Sequence, residues 1–244
     1  MNSIKKPAAM LLVAASMFLA VSTVSARTSH DPVPESNAQS STDKDSQRSM
    51  TPKQALEKLK EGNQRFTSGK MVKRDYLQEV KETSGGQYPF AVLLSCLDSR
   101  TSSEIIFDQG IGDIFNARVA GNFVNTDILG SMEFACKAAG AKVILVVGHT
   151  SCGAVKGACD HVEMGNLTNV MKEIKPAVES VKNVPGEKSS KNNDFVEAVS
   201  KQNVMLAIKE IREKSPILAE MEKNGEIIIA GAMYDISTGS VEFY

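Results

Sequence analysis

The chain has 244 residues, 42% of them hydrophobic, with 28 basic against 29 acidic side chains and no tryptophan. That near-neutral balance, without a basic tract, excludes an electrostatic footprint for nucleic acid, and the apolar content excludes a largely disordered chain. The four cysteines and three histidines are few enough to be placed one by one.

Residues 1–26 read as a secretory signal peptide. Lys5 and Lys6 make a basic start, an apolar run extends from about Ala8 to Val21, and Val24-Ser25-Ala26 is a small-residue cleavage pattern. The run falls short of the roughly 20 residues that a membrane span needs, so cleavage rather than anchoring is expected. A periplasmic protein, free of the membrane after cleavage, follows for a bacterial source. Residues 27–49 hold almost nothing apolar and read as a disordered linker, with His30 incidental. The remaining 50–244, about 195 residues, suit one domain with a full core. Loss of Lys5 and Lys6 leaves the mature chain mildly acidic, with 26 basic against 29 acidic residues.

Thr51-Pro52-Lys53-Gln54 predicts a helix start, with Thr51 as cap, proline in the first turn and Gln54 three residues on. Leu56, Leu59 and Phe66 then fall on one side. Phe90–Leu94 and Val143–Val147 are continuous apolar runs of strand length, the pattern of strands buried on both faces of a parallel sheet. DIFNARVAGN predicts a strand ending in a Gly-Asn turn. Residues 126–139 predict a helix, with Ile128, Leu129, Met132, Ala135 and Ala139 at helical spacing and Gly140 as its stop. A further helix runs through Phe195, Val199, Ile208 and Ile211 before Pro216. The closing EIIIAGAMYDISTGSVEFY reads as two strands around a Ser-Thr-Gly turn. The expectation is an α/β domain: a mostly parallel sheet with an antiparallel edge strand, flanked by helices.

Both apolar strands end in polar residues at their carboxyl ends, where open α/β sheets form their sites. The first releases Cys96, Asp98 and Arg100, each two residues from the last, so they share a face if the chain stays extended. The second breaks at Gly148 and delivers His149 and Cys152. Two thiols and an imidazole suit zinc. Three strong ligands leave a fourth place for water or for Asp98, with Arg100 able to hold Asp98 ionised and away from the metal. GAVKGAC after Cys152 reads as a helix opening, which favours a thiolate. Taken singly, Cys96 and His149 could be core residues and Asp98–Arg100 an ordinary ion pair; a cysteine nucleophile with a histidine base is another reading. Five such residues at two strand ends make coincidence a poor account. Cys136 reads as a core residue, Cys159 has no clear place, and a Cys136–Cys159 bridge stays open.

CLDSR at Cys96 and HTSCG at His149 resemble the paired signatures of the β-class carbonic anhydrases, and LKEGNQRF and MYDISTGSVEFY extend the resemblance over nearly the whole domain. The resemblance implies zinc on Cys96, His149 and Cys152, with Asp98 and Arg100 as the catalytic dyad, interconverting CO2 and bicarbonate. It implies a homodimer or higher homo-oligomer whose sites are lined from both subunits. Gln87, nine residues before Cys96, matches the glutamine that binds substrate in the neighbouring subunit in the plant-like branch. The N–H of Gly153 would be a second donor, and Phe115, Ala120 and Phe134 would line an apolar pocket. Another branch closes its site with the aspartate on zinc through a pocket built on tryptophan; its absence here implies an open site. Rival readings are the same scaffold acting on CS2 or COS, a non-catalytic zinc or bicarbonate module, and a thiol-redox protein. His161 carries no proton-shuttle assignment.

Overall fold

The computed structural model describes residues 41–244. The expected signal peptide and residues 27–40 of the expected linker lie outside the described residues. The expected disorder does not reach residue 49. Asp43 caps a short helix, α1 (Lys44–Ser49), and Thr42 donates its N–H and Oγ1 to Asp113 Oδ1 at 2.8 and 2.6 Å. Gln47 is buried, and its Nε2 donates to the carbonyls of Pro89 at 2.7 Å and Ala139 at 2.8 Å. Polar bonds to the domain hold this segment, so its poverty in apolar residues misleads. Gln47→Ala strands two carbonyl oxygens, and a loss of about 1–3 kcal/mol is expected in a denaturant titration. An unchanged midpoint would mean that α1 contributes nothing to the domain.

Helix α2 (Pro52–Thr67) begins as predicted: Gln54 N donates to Thr51 Oγ1, and Thr51 N donates back to Gln54 Oε1. It buries Ala55 and Leu59, with Leu56 and Phe66 partly buried against the same cluster. Helix α3 (Tyr76–Thr83) and the short α4 (Ser103–Ile106) follow. The sheet comprises β1 (Ala91–Ser95), β2 (Ile114–Arg118), β3 (Val143–His149), β4 (Ile228–Tyr234) and β5 (Val241–Phe243) in the order β2-β1-β3-β4-β5. Only β5 runs antiparallel, as the terminal Ser-Thr-Gly turn predicts.

Every residue of β1 and β3 is buried, because helices cover both faces. On one side Val92, Leu94, Ile144 and Val146 meet Leu129 and Met132 of α5 (Thr126–Glu133), Ile208 and Ile211 of α8 (Asn193–Lys214) and Leu218 of α9 (Pro216–Lys223). On the other, Leu93, Leu145 and Val147 meet Leu59 of α2. The helix expected over 126–139 changes pitch: α5 continues as a π-helical turn, Phe134–Ala138, before Gly140 at φ +86°. Pro216 does more than end α8. Ser215 Oγ accepts from Leu218 N, and the proline opens α9. Cys136 lies in the first cluster and Cys159 in a third, under α6 (Gly153–Cys159) and α7 (Leu167–Ser180); both are free, so no bridge joins them.

β2 lies on one side of β1, and the chain then crosses back to β3 on the other, so the strand order reverses at β1. A crevice opens at such a reversal, outside the carboxyl ends of the strands. Ser95 is level with Val147, which brings Cys96 out beside Gly148 and places His149 one residue beyond.

Candidate metal centre

Cys96 follows β1, His149 ends β3, and Cys152 caps α6. Their ligand atoms all lie within 4.8 Å of one another, the two sulfurs 3.8 Å apart, and all three residues are buried. Gly148 lets α8 approach the end of β3, since a Cβ there would stand 2.7 Å from Val204 Cγ2. The HTSC turn needs Ser151 at φ +53°, and its N–H donates to Glu197 Oε1 on α8 at 2.9 Å.

The His149 ring is oriented by a 2.9 Å contact between Nδ1 and the Thr150 carbonyl, which can only accept. Nδ1 therefore carries the proton and Nε2 its lone pair. That Nε2 is sealed from solvent and has no hydrogen-bond partner. A stranded buried acceptor costs about 1–3 kcal/mol unless something fills it. An imidazole lone pair converging with two sulfurs fits zinc, and the carbonyl behind the ring is the usual outer support of a metal-binding histidine.

The Cys96 thiol is pulled well below its ordinary range, first by the hydrogen bond from Cys152, against burial, with help from His149 and from the Gly121 N–H at 3.4 Å. Cys152 moves the other way. Its pairing with Cys96 and its burial push it up, outweighing the lowering by the Ala154 and Val155 N–H groups at the start of α6.

Extension stops at Ser95, so Cys96, Asp98 and Arg100 do not share a face as on a strand. The chain turns instead, with Thr101 N donating to Asp98 O at 3.0 Å. The turn still serves the pair. Arg100 Nε meets Asp98 Oδ1 at 2.8 Å, Nη2 meets Oδ2 at 2.6 Å, and the Arg100 N–H adds a 3.0 Å bond to Oδ1. These bonds hold the Asp98 carboxyl well below the usual carboxylate range. Its Oδ2 lies 4.0 Å from His149 Nε2, beside the ligand cluster.

Three supporting residues escaped the sequence reading. Thr101 Oγ1 donates to the carbonyls of Cys96 at 3.1 Å and Asp98 at 2.8 Å. Arg118 reaches the same carbonyls through Nε at 3.0 Å and Nη2 at 2.6 Å. The signal for Arg118 was its place as the last residue of β2, level with Ser95. Nothing marks Glu197, which comes from a helix 46 residues away in sequence from the turn it supports.

The remaining expected residues divide. Ala120 adjoins Gly121, whose N–H reaches Cys96, and Gly153 is exposed at the start of α6. Phe115 and Phe134 stack edge to face at 6.2 Å and line a surface cavity of about 640 Å³ to which no ligand residue contributes. Gln87 is exposed just before the amino end of β1, so one subunit does not bring it to its own Cys96.

A family model described as carbonic anhydrase matches residues 91–241. The chain is 33% identical to carbonic anhydrase 2 of Mycobacterium tuberculosis, over 77% of this chain and 90% of that protein. Identity to a carbonic anhydrase of Mycolicibacterium smegmatis is 30%, over 78% of this chain and 92% of that one. Among solved structures, the β-carbonic anhydrase CcaA is similar at 25% identity and a TM-score of 0.61, covering 78% of this chain and 87% of that one.

Proposed function

Because the chain belongs to the β-class carbonic anhydrases, we propose that it holds zinc on Cys96, His149 and Cys152 and catalyses the reversible hydration of CO2, in which CO2 and water give bicarbonate and a proton. The observation that carries this reading is the unpartnered His149 Nε2 converging with two sulfurs, with a carboxylate oxygen 4.0 Å away. Zinc bound there supplies the Lewis acidity that makes water a nucleophile near neutral pH.

The chain's own residues do the rest. Asp98, kept ionised by Arg100, accepts a hydrogen bond from the attacking water and orients it toward the carbon of CO2. The two-pronged grip of Arg100 also holds both Asp98 oxygens, which would keep the carboxylate from turning into the ligand cluster. The Gly153 N–H and a Gln87 reaching in from a neighbouring subunit hold the developing oxygen charge. Phe115, Ala120 and Phe134 give CO2 an apolar surface within a homodimer or larger assembly. A related β-carbonic anhydrase structure from Sordaria macrospora is tetrameric; at 24% identity it supports the fold. Residues 1–26 direct export to the periplasm, and no helix among the described residues is long and apolar enough to cross a membrane.

Stopped-flow CO2 hydration at about pH 7 and about pH 8.5, with zinc measured on the same sample, tests the assignment. Rapid turnover at both values is expected. Full zinc occupancy without turnover at either would reject it.

A further inference from the structure

A second cavity, of about 300 Å³, lies at the other end of the sheet, where α1, the chain before β1 and the end of the π-helical turn meet. Lys44, Arg48, Lys137 and Lys142 line it together with Gln87 and Tyr88, and no carboxylate does. None of the four cations has an ion-pair partner among the described residues. Glu226 lines an adjoining cavity with Arg48, Lys137 and Lys142, and Asp43 and Asp45 flank Lys44 along the chain without pairing with it.

Local structure accounts for three of the four charges. Lys137 and Lys142 flank the carbonyl end of a helix, which attracts cations, and Arg48 lies in the last turn of α1. It gives no reason for Lys44, which occupies the first position of α1, where acidic residues are favoured, four residues before Arg48, a spacing at which like charges repel. Isolated lysines are ordinary on a protein surface. Four unpaired cations around one concavity are not, in a mature chain with more acidic than basic residues.

The walls are also fixed in place. The Gln47 amide ties α1 to Pro89 and Ala139, and Gly140 at φ +86° passes so close that a Cβ would stand 3.2 Å from Gln47 Oε1. The charges therefore converge on a preformed space rather than on a mobile face.

We propose that this cavity binds a multiply charged oxyanion of the phosphate class. Its volume lies at the small end of ligand pockets and suits an ion with part of its hydration, not a nucleotide-sized cofactor. Arg48 offers a planar fork for two oxygens, the lysines add point charges, and the Tyr88 hydroxyl adds a directional donor. Bicarbonate, with one charge, would leave most of the cavity's charge uncompensated. None of Cys96, Asp98, His149 or Cys152 lines the cavity, and the proposal stands whether or not the chain hydrates CO2.

The test is calorimetric titration of the zinc-loaded, full-length mature protein with pyrophosphate at low salt, with zinc measured before and after. Saturable binding of one pyrophosphate per chain is expected, and Lys44→Gln/Arg48→Gln should weaken it by roughly tenfold or more. The thermal midpoint of that variant without anion verifies its folding, and Lys137→Gln/Lys142→Gln tests the opposite wall. Bicarbonate should bind more weakly than pyrophosphate. Absent binding, equal binding by both folded double variants, or bicarbonate binding as tight as pyrophosphate would each overturn the proposal. So would binding to phosphatidylglycerol vesicles without binding to free pyrophosphate.

Discussion

Cys96→Ser is expected to lower zinc content to below about a tenth of an equivalent and CO2 hydration by about a thousandfold or more. Serine nearly matches cysteine in volume, so the buried position beside Cys152 stays filled and the fold should survive. What changes is the donor. The Cys96 thiol is already drawn toward thiolate by the bond from Cys152, by His149 and by the Gly121 N–H, whereas a serine hydroxyl in the same surroundings keeps its proton and offers a poor ligand. The remaining donors, His149 and Cys152, belong to one turn and form only a local chelate. Elemental analysis after dialysis and stopped-flow hydration read the two effects. Circular dichroism and the thermal midpoint, compared with chelator-treated parent protein, separate metal loss from misfolding. A variant with full zinc and near-parental turnover would remove Cys96 from the ligand set.

The legibility of these features in the sequence followed how local their causes are. The runs before Cys96 and His149 announced buried parallel strands because helices on both faces leave no position polar, and the Thr51–Gln54 capping box could be read from residues three apart. The ligand set was legible because each residue sits at or just past a strand end. The 41–49 segment was misjudged because Thr42 and Gln47 are held through Asp113 and two backbone carbonyls, partners that hydropathy does not register. The geometry of Asp98 and Arg100 was misjudged for a related reason. Strand spacing predicted a common face, but Thr101 and Arg118 draw the Cys96 and Asp98 carbonyls into a turn, and the Arg118 bonds exist only once β2 has paired with β1. The 3.8 Å approach of Cys96 and Cys152, 56 residues apart in sequence, is likewise encoded by no local pattern.

Asp98→Asn is expected to keep zinc near one equivalent while hydration falls by about a hundred- to a thousandfold, the range for losing a positioned acid–base group. The amide preserves size and can still accept from Arg100 through one oxygen, so the turn over residues 98–101 should persist. It removes the charge that Arg100 holds ionised, and it places a donor where the attacking water needs an acceptor. Arg100→Ala attacks the same pair from the other side. It leaves the carboxylate intact but frees both its oxygens, one of them 4.0 Å from His149 Nε2, to swing toward the ligand cluster. If orienting Asp98 is the main task of Arg100, the two substitutions share one interaction and cannot add. The double variant should then be no slower than Asp98→Asn alone, within about a factor of two. Multiplying losses would instead mean that Arg100 contributes to the reaction independently of Asp98. Retained zinc with unimpaired hydration in Asp98→Asn would leave the carboxylate a structural partner of Arg100 and return its catalytic place to another group.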